Sequence, residues 1–185
     1  MLDLNVSCFL RTLNVAGDNM RSSQVFGVVD GRYAIIRFKG RFRFLSNYYL
    51  TEINYEGLVY PSSEHAYAAA KTDVPYLKQC IAKMNSPAEA KKFGRSVKLF
   101  EDWDEIKDRK MYEILKVKFK KNSILGDKLE KLDYYLVEGN TWHDNYWGCC
   151  FCDECSEARD ITGEKAKNKL GRLLMKIRKE LHKID

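Results

Sequence analysis

The chain has 185 residues, of which 45% are hydrophobic, 31% charged and 12% aromatic, a composition typical of one soluble globular domain and unlike disordered or fibrous chains. Its formal net charge of +6 favours anionic partners such as phosphorylated small molecules, RNA or DNA. The N-terminal stretch is too short and polar for a membrane span and lacks a signal-peptide cleavage site, so we expect a cytoplasmic protein whose six cysteines remain thiols.

Two hairpins are predicted in the first third of the chain. Each combines runs of β-branched and aromatic residues with a turn dipeptide, Asp30-Gly31 in the first and Glu56-Gly57 in the second. Such dipeptides suit tight turns because glycine accepts positive φ. The strands are Val25 to Val29, Tyr33 to Phe38 and two within Glu52 to Tyr60, which Pro61 is expected to end.

Four helices are predicted after Pro61. The first runs from a cap at Ser62 or Ser63 to about Lys71. The second begins with the capping box Ser86-Pro87-Ala88-Glu89 and stops at Gly94. Two longer amphipathic helices have buried stripes, formed by Met111, Ile114, Leu115 and Phe119 in one and by Leu170, Leu173, Leu174, Ile177 and Leu181 in the other. These elements predict an α+β protein, a single helix-rich domain with short antiparallel strands.

The first candidate site lies on the helix that follows Pro61. Glu64 and Lys71 are seven residues apart, so they would share one helix face two turns apart. Ala68 lies between them and would leave room for a ligand. An acid at the start of a helix and a lysine at its end are also what the helix dipole prefers, so the spacing alone favours a structural interpretation.

A second candidate site is a polar and aromatic loop in the last third of the chain. Asp144 would accept hydrogen bonds, and Trp147, followed by Gly148, offers a flat surface on which a base could stack. The aromatic residues of this loop could equally pack into the hydrophobic core of the protein. Asn47 lies at the mouth of a predicted hairpin, and Asn168 lies at a predicted helix start that could bind phosphate, although an ordinary helix cap is the simpler interpretation.

Taken together, these segments resemble the YbiA-like (NADAR) family in order and spacing. The matching motifs are Phe44-Leu-Ser-Asn47, Ser63-Glu-His65 with Lys71, Asp102-Trp-Asp104, Leu136-Val-Glu138, Asp144, Tyr146-Trp-Gly148 and Asn168 with Leu170-Gly171. The resemblance runs from about Phe38 to Leu181. It predicts an N-terminal extension, residues 1–33, outside the family pattern and a YbiA-like domain at residues 34–185.

The resemblance implies an N-glycosidase, a hydrolase that cleaves the C–N bond between ribose and base in phosphorylated nucleotide-like substrates. These would be riboflavin-pathway intermediates or ADP-ribosylated guanine. The catalytic residues implied are Glu64, Lys71 and Asp144, and the implied substrate contacts are Asn47, Trp147, Gly148 and Asn168. We expect no cofactor and no membrane partner; the partner would be a phosphorylated N-riboside or an ADP-ribosyl nucleotide, including ADP-ribosylated nucleic acid.

Two chemical routes and two other functions stay open at this point. A carboxylate at Glu64 could stabilise an oxocarbenium-like sugar while the leaving base is protonated. Alternatively, Lys71 could form a Schiff base with a ring-opened sugar, which requires burial or a cationic neighbour to lower its pKa. The competing functions are a module that binds ADP-ribose or a related nucleotide without hydrolysing it, and a nucleic-acid-binding protein driven by its positive charge.

A cysteine cluster directly follows Gly148. Cys152 and Cys155 have the two-residue spacing of a zinc knuckle, and Cys150 could add a third thiolate. No second knuckle exists elsewhere in the sequence, so a metal site would need His143 or a partner chain as its fourth ligand. We therefore interpret these residues as weak metal candidates and more simply as loop thiols, and His143 as a loop residue.

Overall fold

The chain forms two compact units in a computed structural model, which describes residues 25–121, 123–155 and 166–183. Unit 1 contains the described residues up to Arg43 and from Leu132 to Lys176. Unit 2 contains Phe44–Lys131 and the described residues from Ile177 onward. Short helices combine with small sheets, which confirms the predicted α+β class. The predicted boundary between residues 33 and 34 stays a prediction, and residues 1–24 lie outside the described part.

Unit 1 is built on a three-stranded sheet in the order β1-β2-β5. β1 (Phe26–Val29) and β2 (Arg32–Ile35) are antiparallel, and Asp30 and Gly31 between them have φ values of 48° and 72°, as expected for the predicted turn. β5 (Tyr135–Leu136) pairs with β2 in parallel. A further parallel pair joins β6 (Gly139–Asn140) to β7 (Cys149–Cys150). The core of this unit consists of Val29, Ala34, Ile36, Val137, Cys149, Phe151 and Ala166.

Unit 2 begins with the second predicted hairpin. β3 (Leu50–Tyr55) pairs antiparallel with β4 (Leu58–Ser62) across a turn at Glu56 and Gly57 with φ values of 49° and 80°. The prediction that Pro61 ends the strand is wrong, because β4 continues to Ser62. The register shifts between Leu50 and Ile53 on the facing strand, so Pro61 lies opposite an irregularity, a position in a sheet where proline is tolerated.

Five helices follow among the described residues of unit 2: α1 (Ser63–Ala69), α2 (Pro75–Ala82), α3 (Pro87–Gly94), α4 (Trp103–Lys118) and α5 (Ile124–Glu130). α1 packs against β4, α2, α3 and α4, so it lies at the centre of the unit. The α4 stripe is buried as predicted, with Met111, Ile114, Leu115 and Phe119 at most 1% exposed. Helices α2 and α5 were not predicted.

The last helix, α6 (Lys169–Leu181), contributes its residues up to Lys176 to unit 1 and the remainder to unit 2. Its predicted stripe is confirmed, because Leu170, Leu174, Ile177 and Leu181 are buried and Leu173 is half-buried. Among the helices that the structure describes, none has both the length and the apolar character needed to cross a bilayer.

Candidate functional site

The predicted acid, Glu64, is held in the first turn of α1 by two neighbouring segments. Ser62 is both the last residue of β4 and the N-cap of α1, where its Oγ accepts a hydrogen bond from the His65 N–H at 3.3 Å. The Glu64 N–H donates to the main-chain oxygen of Asn47 at 3.1 Å. Glu64 itself is 9% exposed. The carboxylate-bearing residue is therefore buried at a strand-to-helix junction and bonded to a second predicted site residue.

The next residue, His65, has a structural role. Its Nε2 lies 3.3 Å from the main-chain oxygen of Met84, and its Nδ1 lies 2.7 Å from Ser62 Oγ. Burial lowers the pKa of His65, against opposing contributions from the Met84 hydrogen bond and the charge of Glu89. A neutral ring that donates from Nε2 to Met84 and accepts at Nδ1 from the Ser62 hydroxyl satisfies both contacts. His65 thus ties α1 to the segment that precedes α3.

The predicted amine, Lys71, lies beyond the end of α1. The helix ends at Ala69, and the Lys71 N–H donates to Ala68 O at 3.4 Å in a tighter turn. The predicted helix to about Lys71 therefore ends two residues earlier, and the chain turns before α2 starts at Pro75. That Lys71 shares a face with Glu64 stays a prediction. Lys71 Nζ lies 5.5 Å from the ring centroid of Tyr67 and 6.0 Å from that of Trp103, distances at which aromatic faces attract a cation.

Glu64 and Lys71 nevertheless interact electrostatically. Burial lowers the pKa of Lys71, the Glu64 carboxylate raises it, and the positive charges of Arg95 and Lys91 lower it, so that the pKa of Lys71 lies below its ordinary value. Burial, with a further contribution from Glu64, also raises the pKa of Tyr48 to about 12. Tyr48, Lys91 and Arg95 were not predicted, although Lys91 and Arg95 have the four-residue spacing of one helix face.

The space that Ala68 was predicted to leave for a ligand is filled by α3. Ala68 is 2% exposed, and a Cβ added to Gly94 would lie only 2.8 Å from the Ala68 Cβ. The ligand interpretation of Ala68 is therefore wrong, because the two helices meet at these small residues. Their close approach places Lys91 on α3 and Arg95 at its C-cap within electrostatic reach of Lys71.

Asn47 has a buried polar atom that the described part of the chain leaves unsatisfied. The residue is 8% exposed, and its Nδ2 donates to Met111 Sδ at 3.4 Å. Its Oδ1 is buried and accepts no hydrogen bond from the described residues, and the same holds for Ser63 Oγ. A buried polar atom without a partner is unfavourable by about 1–3 kcal/mol. The prediction that Asn47 contacts the substrate therefore has a structural counterpart, an amide oxygen suited to an N–H donor.

Asp144 shapes the loop that carries Trp147. Its Oδ1 accepts hydrogen bonds from the main-chain N–H groups of Tyr146 at 3.1 Å and Trp147 at 2.8 Å, as aspartate often does in turns. Asn140 holds the same loop, since its Nδ2 donates to Asp144 O at 2.7 Å. A Cβ on Gly148 would lie 2.0 Å from the Glu138 carbonyl oxygen, so only glycine fits there. Trp147 is half-buried.

Asn168 bonds to main-chain groups of unit 1. The residue is fully buried; its Oδ1 accepts from the Glu138 N–H at 3.1 Å and its Nδ2 donates to Leu136 O at 2.9 Å. The side chain therefore joins backbone segments instead of capping α6, which corrects the simpler interpretation. The N–H groups of residues 168–170 donate to the carbonyls of residues 146–148. The expectation that this helix start offers free N–H groups to phosphate is therefore wrong.

The predicted residues fall into two groups. Asn47, Glu64 and Lys71 belong to unit 2, whereas Asp144, Trp147, Gly148 and Asn168 belong to unit 1. A surface cavity of about 390 Å³ in unit 2 is lined by residues of β3, β4, the end of α4 and the start of α5. It includes neither predicted catalytic residue of that unit, so the candidate site rests on the buried acid Glu64 and the half-buried amine Lys71.

Comparison with known proteins assigns the chain to a family. The model of the NADAR domain matches residues 37–182. The chain belongs to the NADAR family. The matched span agrees with the resemblance inferred from about Phe38 to Leu181, and it leaves the roles of individual residues as predictions.

Several relatives of this NADAR chain are known. N-glycosidase YbiA of Escherichia coli (strain K12) is 30% identical over 138 residues, which cover 74% of this chain and 79% of that protein. A riboflavin biosynthesis protein of Vibrio vulnificus (strain YJ016) is 30% identical over 140 residues, which cover 75% of this chain but 35% of that protein. The NMR structure of E. coli YbiA matches with a TM-score of 0.64 at 29% identity, over 79% of this chain and 82% of that one.

Proposed function

We propose that this NADAR protein is an N-glycosidase that hydrolyses the C–N bond between ribose and base in a phosphorylated nucleotide-like substrate. The names of its relatives support this class, since YbiA is named an N-glycosidase and the Vibrio relative a riboflavin biosynthesis protein. Riboflavin-pathway intermediates are therefore the first substrates to test, and ADP-ribosylated guanine is the second. Both have ribose attached to nitrogen near a phosphate.

The observation that carries the proposal is the position of the Lys71 amine, which lies beside the rings of Tyr67 and Trp103 and within electrostatic reach of the buried Glu64. A lysine can attack carbon only when it is neutral, which at physiological pH requires burial or a cationic neighbour. Lys71 has both, because burial and the charges of Arg95 and Lys91 lower its pKa. Glu64 is buried within electrostatic reach of the same amine, so a nucleophile and a proton carrier belong to one site in unit 2.

The reaction follows from these two groups. The ring oxygen takes up a proton as the sugar ring opens to a protonated imine on the base nitrogen, and neutral Lys71 adds to the former anomeric carbon. Glu64 takes a proton from the Lys71 nitrogen and passes it to the base nitrogen. The C–N bond then breaks, the base leaves as a neutral amine, and the lone pair on the Lys71 nitrogen forms the Schiff base. Water then adds to the imine carbon of the Lys71 Schiff base, releasing the sugar as an aldehyde and restoring the amine. The buried Asn47 Oδ1 would accept a hydrogen bond from the substrate.

Replacement of Glu64 is the first test. We expect Glu64→Gln to keep the fold and to lose about 10²–10⁴-fold in kcat, the usual contribution of a general acid or base. Glu52→Gln is the matched control, because Glu52 is an exposed acid in the same unit. The assay incubates the protein with a panel of N-ribosides and measures free base by mass spectrometry. Tight binding of ADP-ribose without base release, unchanged in Glu64→Gln, would instead support a non-catalytic binding module.

Trapping the intermediate tests the amine. Borohydride added during turnover should reduce the Schiff base and leave a sugar adduct on Lys71, identified by peptide mass spectrometry. Lys71→Met should abolish both the adduct and the activity, whereas Lys92→Met, which changes an exposed lysine of α3, should preserve both. Normal activity in Lys71→Met would exclude the amine. Loss of activity in Glu64→Gln without any trapped adduct in the wild type would favour direct attack of water on an oxocarbenium-like sugar.

A further inference from the structure

Four side chains of unit 1 converge with the composition of a zinc site. The ligand atoms of His143, Cys150, Cys152 and Cys155 all lie within 4.8 Å of one another. His143 Nδ1 is 3.3 Å from Cys155 Sγ and 3.5 Å from Cys152 Sγ, and the sulfurs of Cys150 and Cys152 are 3.2 Å apart. Zinc bonds of roughly 2.3 Å to sulfur and 2.0 Å to nitrogen in a tetrahedron require ligand separations of roughly 3.5–3.8 Å. These three separations lie within about half an ångström of that range, and the remaining pairs lie within 4.8 Å.

We propose that His143, Cys150, Cys152 and Cys155 bind one Zn²⁺ as a structural site. Three thiolates and one imidazole are a typical structural zinc ligand set, and soft sulfur ligands in a tetrahedron favour zinc over magnesium or calcium. Four protein ligands fill the coordination shell, so the ion would have no open position for a substrate or water. The three thiols release their protons to solvent on binding, which makes the affinity fall at low pH.

Hydrogen bonds around the cluster are those expected of a zinc site. The His143 N–H donates to Cys150 Sγ at 3.4 Å, and Asn145 Nδ2 donates to Cys155 Sγ at 3.7 Å. His143 Nε2 lies 3.5 Å from a carboxylate oxygen of Glu154, so the ring nitrogen opposite the ligand atom has an acidic neighbour. Metal-binding histidines usually make such a contact, which orients the ring and fixes its tautomer.

The strand β7 explains why Cys149 is excluded from the site. Successive side chains of a strand point to opposite faces. Cys149 is fully buried within the apolar core of unit 1, whereas Cys150 is directed to the cluster. The sequence analysis left His143 and a partner chain as alternatives for the fourth ligand, and the structure brings His143 beside the three cysteines.

Metal binding would restrain the loop that contains three of the predicted site residues. His143 and Cys150 flank residues 144–149, the segment that contains Asp144, Trp147 and Gly148. A bond from each flank to one ion would fix the ends of that segment. This consequence for activity rests on the proposed function, but metal binding itself does not.

Metal content of the full chain tests the proposal without any substrate. The protein is purified without chelator and without metal-affinity chromatography, and its zinc is measured by plasma mass spectrometry. We expect about one zinc per chain, lost in the double variant Cys152→Ser/Cys155→Ser. Cys80→Ser is the matched control, because Cys80 is a half-buried thiol on α2 in unit 2; it should retain the metal.

A second measurement covers the case in which the double variant fails to fold. Wild-type protein stripped of zinc and titrated with Co²⁺ should develop the intense visible bands of tetrahedral cobalt with thiolate ligands, saturating at one equivalent. Wild-type protein that contains no zinc and gives no such spectrum would overturn the proposal. Two other results would do the same: stoichiometric zinc in a folded double variant, or an intact mass two hydrogens lower, showing that the thiols form a disulfide. Absence of glycosidase activity in a zinc-loaded protein would count only against the proposed function.

Discussion

At the residue scale, the surroundings of Lys71 set the fraction of its amine that is neutral. Burial and the charges of Arg95 and Lys91 lower its pKa, while Glu64 opposes them. A lowered pKa means that deprotonation, which usually requires pH near 10.4, occurs closer to neutrality. The pKa of the proposed nucleophile is thus lowered first by burial and further by the charges of Arg95 and Lys91 on α3 and its C-cap.

Removal of the positive charge of Arg95 should therefore shift the dependence of kcat/KM on pH. In Arg95→Met the pKa of Lys71 rises, because a cation that opposes its protonation is gone. The neutral amine then requires a higher pH, so the acidic limb of kcat/KM against pH should shift to higher pH and the rate at pH 7 should fall. Lys92→Met, the exposed control on α3, should leave the profile in place. An unshifted limb in a folded Arg95→Met variant would contradict this account.

Asp144 offers a test that separates its charge from its hydrogen bonds. Its Oδ1 accepts two main-chain N–H groups, and an asparagine keeps an oxygen at that position. If Asp144 supports catalysis through its charge, as predicted, Asp144→Asn should lose as much kcat as Asp144→Ala. If it only shapes the loop, Asp144→Asn should keep most of the activity while Asp144→Ala loses stability by roughly 1–3 kcal/mol. Activity assays combined with urea unfolding distinguish the two results.

At the scale of elements, the contact between α1 and α3 connects stability to the candidate site. A Cβ on Gly94 would lie 2.8 Å from the Cβ of Ala68 and 3.1 Å from its Cα. Gly94→Ala should therefore push the helices apart and reduce the free energy of unfolding by about 1–3 kcal/mol, as overpacking does. It should also reduce kcat, because Lys91 and Arg95 would move away from Lys71.

The contact between Gly94 and Ala68 can also be tested by changing both residues together. In Gly94→Ala/Ala68→Gly the crowding methyl on α1 is removed, although glycine inside a helix costs about 1 kcal/mol. The double variant should be more stable than the sum of the two single changes predicts, measured by chemical denaturation in a double-mutant cycle. Additive effects would show that these two positions do not limit the approach of the helices.

The elements that sequence predicted well have local signals. The turns at Asp30 and Glu56 follow from turn dipeptides, and the buried face of α4 follows from its periodic apolar stripe. Helices α2 and α5 were missed because they are short and bury few residues, only Ile81 in α2 and Gly126 and Leu129 in α5. So few buried positions produce no periodic pattern.

The site was predictable only where its residues belong to one segment. Glu64 follows from a capped helix start. Its neighbour Tyr48, and the Lys71 neighbours Lys91 and Arg95, come together through tertiary packing that the sequence does not encode locally. The end of α1 was placed two residues too late because the sequence has no glycine or proline directly after Ala69 to mark it. The place of His143 in the cysteine cluster depends on a left-handed backbone conformation, with φ of 63°, that its sequence neighbours do not indicate.

At the scale of the whole molecule, part of the positive charge is engaged in ion pairs. Glu56 binds Lys78 at 2.6 Å and Lys110 at 2.7 Å, and Lys107 pairs with Asp104 at 2.5 Å. These pairs leave the net charge of +6 unchanged, but they place carboxylates among the lysines, whereas a nucleic-acid-binding protein would need a continuous basic surface.

Salt dependence distinguishes these partners. For a phosphorylated N-riboside we expect kcat/KM to fall only a few-fold at most between about 50 and 200 mM salt, since screening acts on few charges. A protein that contacts six to ten phosphates of a duplex would lose roughly 10³–10⁵-fold in affinity over the same range. Binding to unmodified DNA or RNA with such a steep slope would contradict the small-molecule assignment.

Ser62 both ends β4 and caps α1, which restricts where the chain length can change in this family. Because one residue closes the strand and caps the helix, no linker separates them to absorb a change in chain length. One inserted residue between Ser62 and Ser63 would leave both elements able to form, yet would rotate the Glu64 carboxylate about 100° around the helix axis. Active NADAR sequences should therefore show insertions and deletions elsewhere, and the segment from Leu58 to Glu64 should align without gaps.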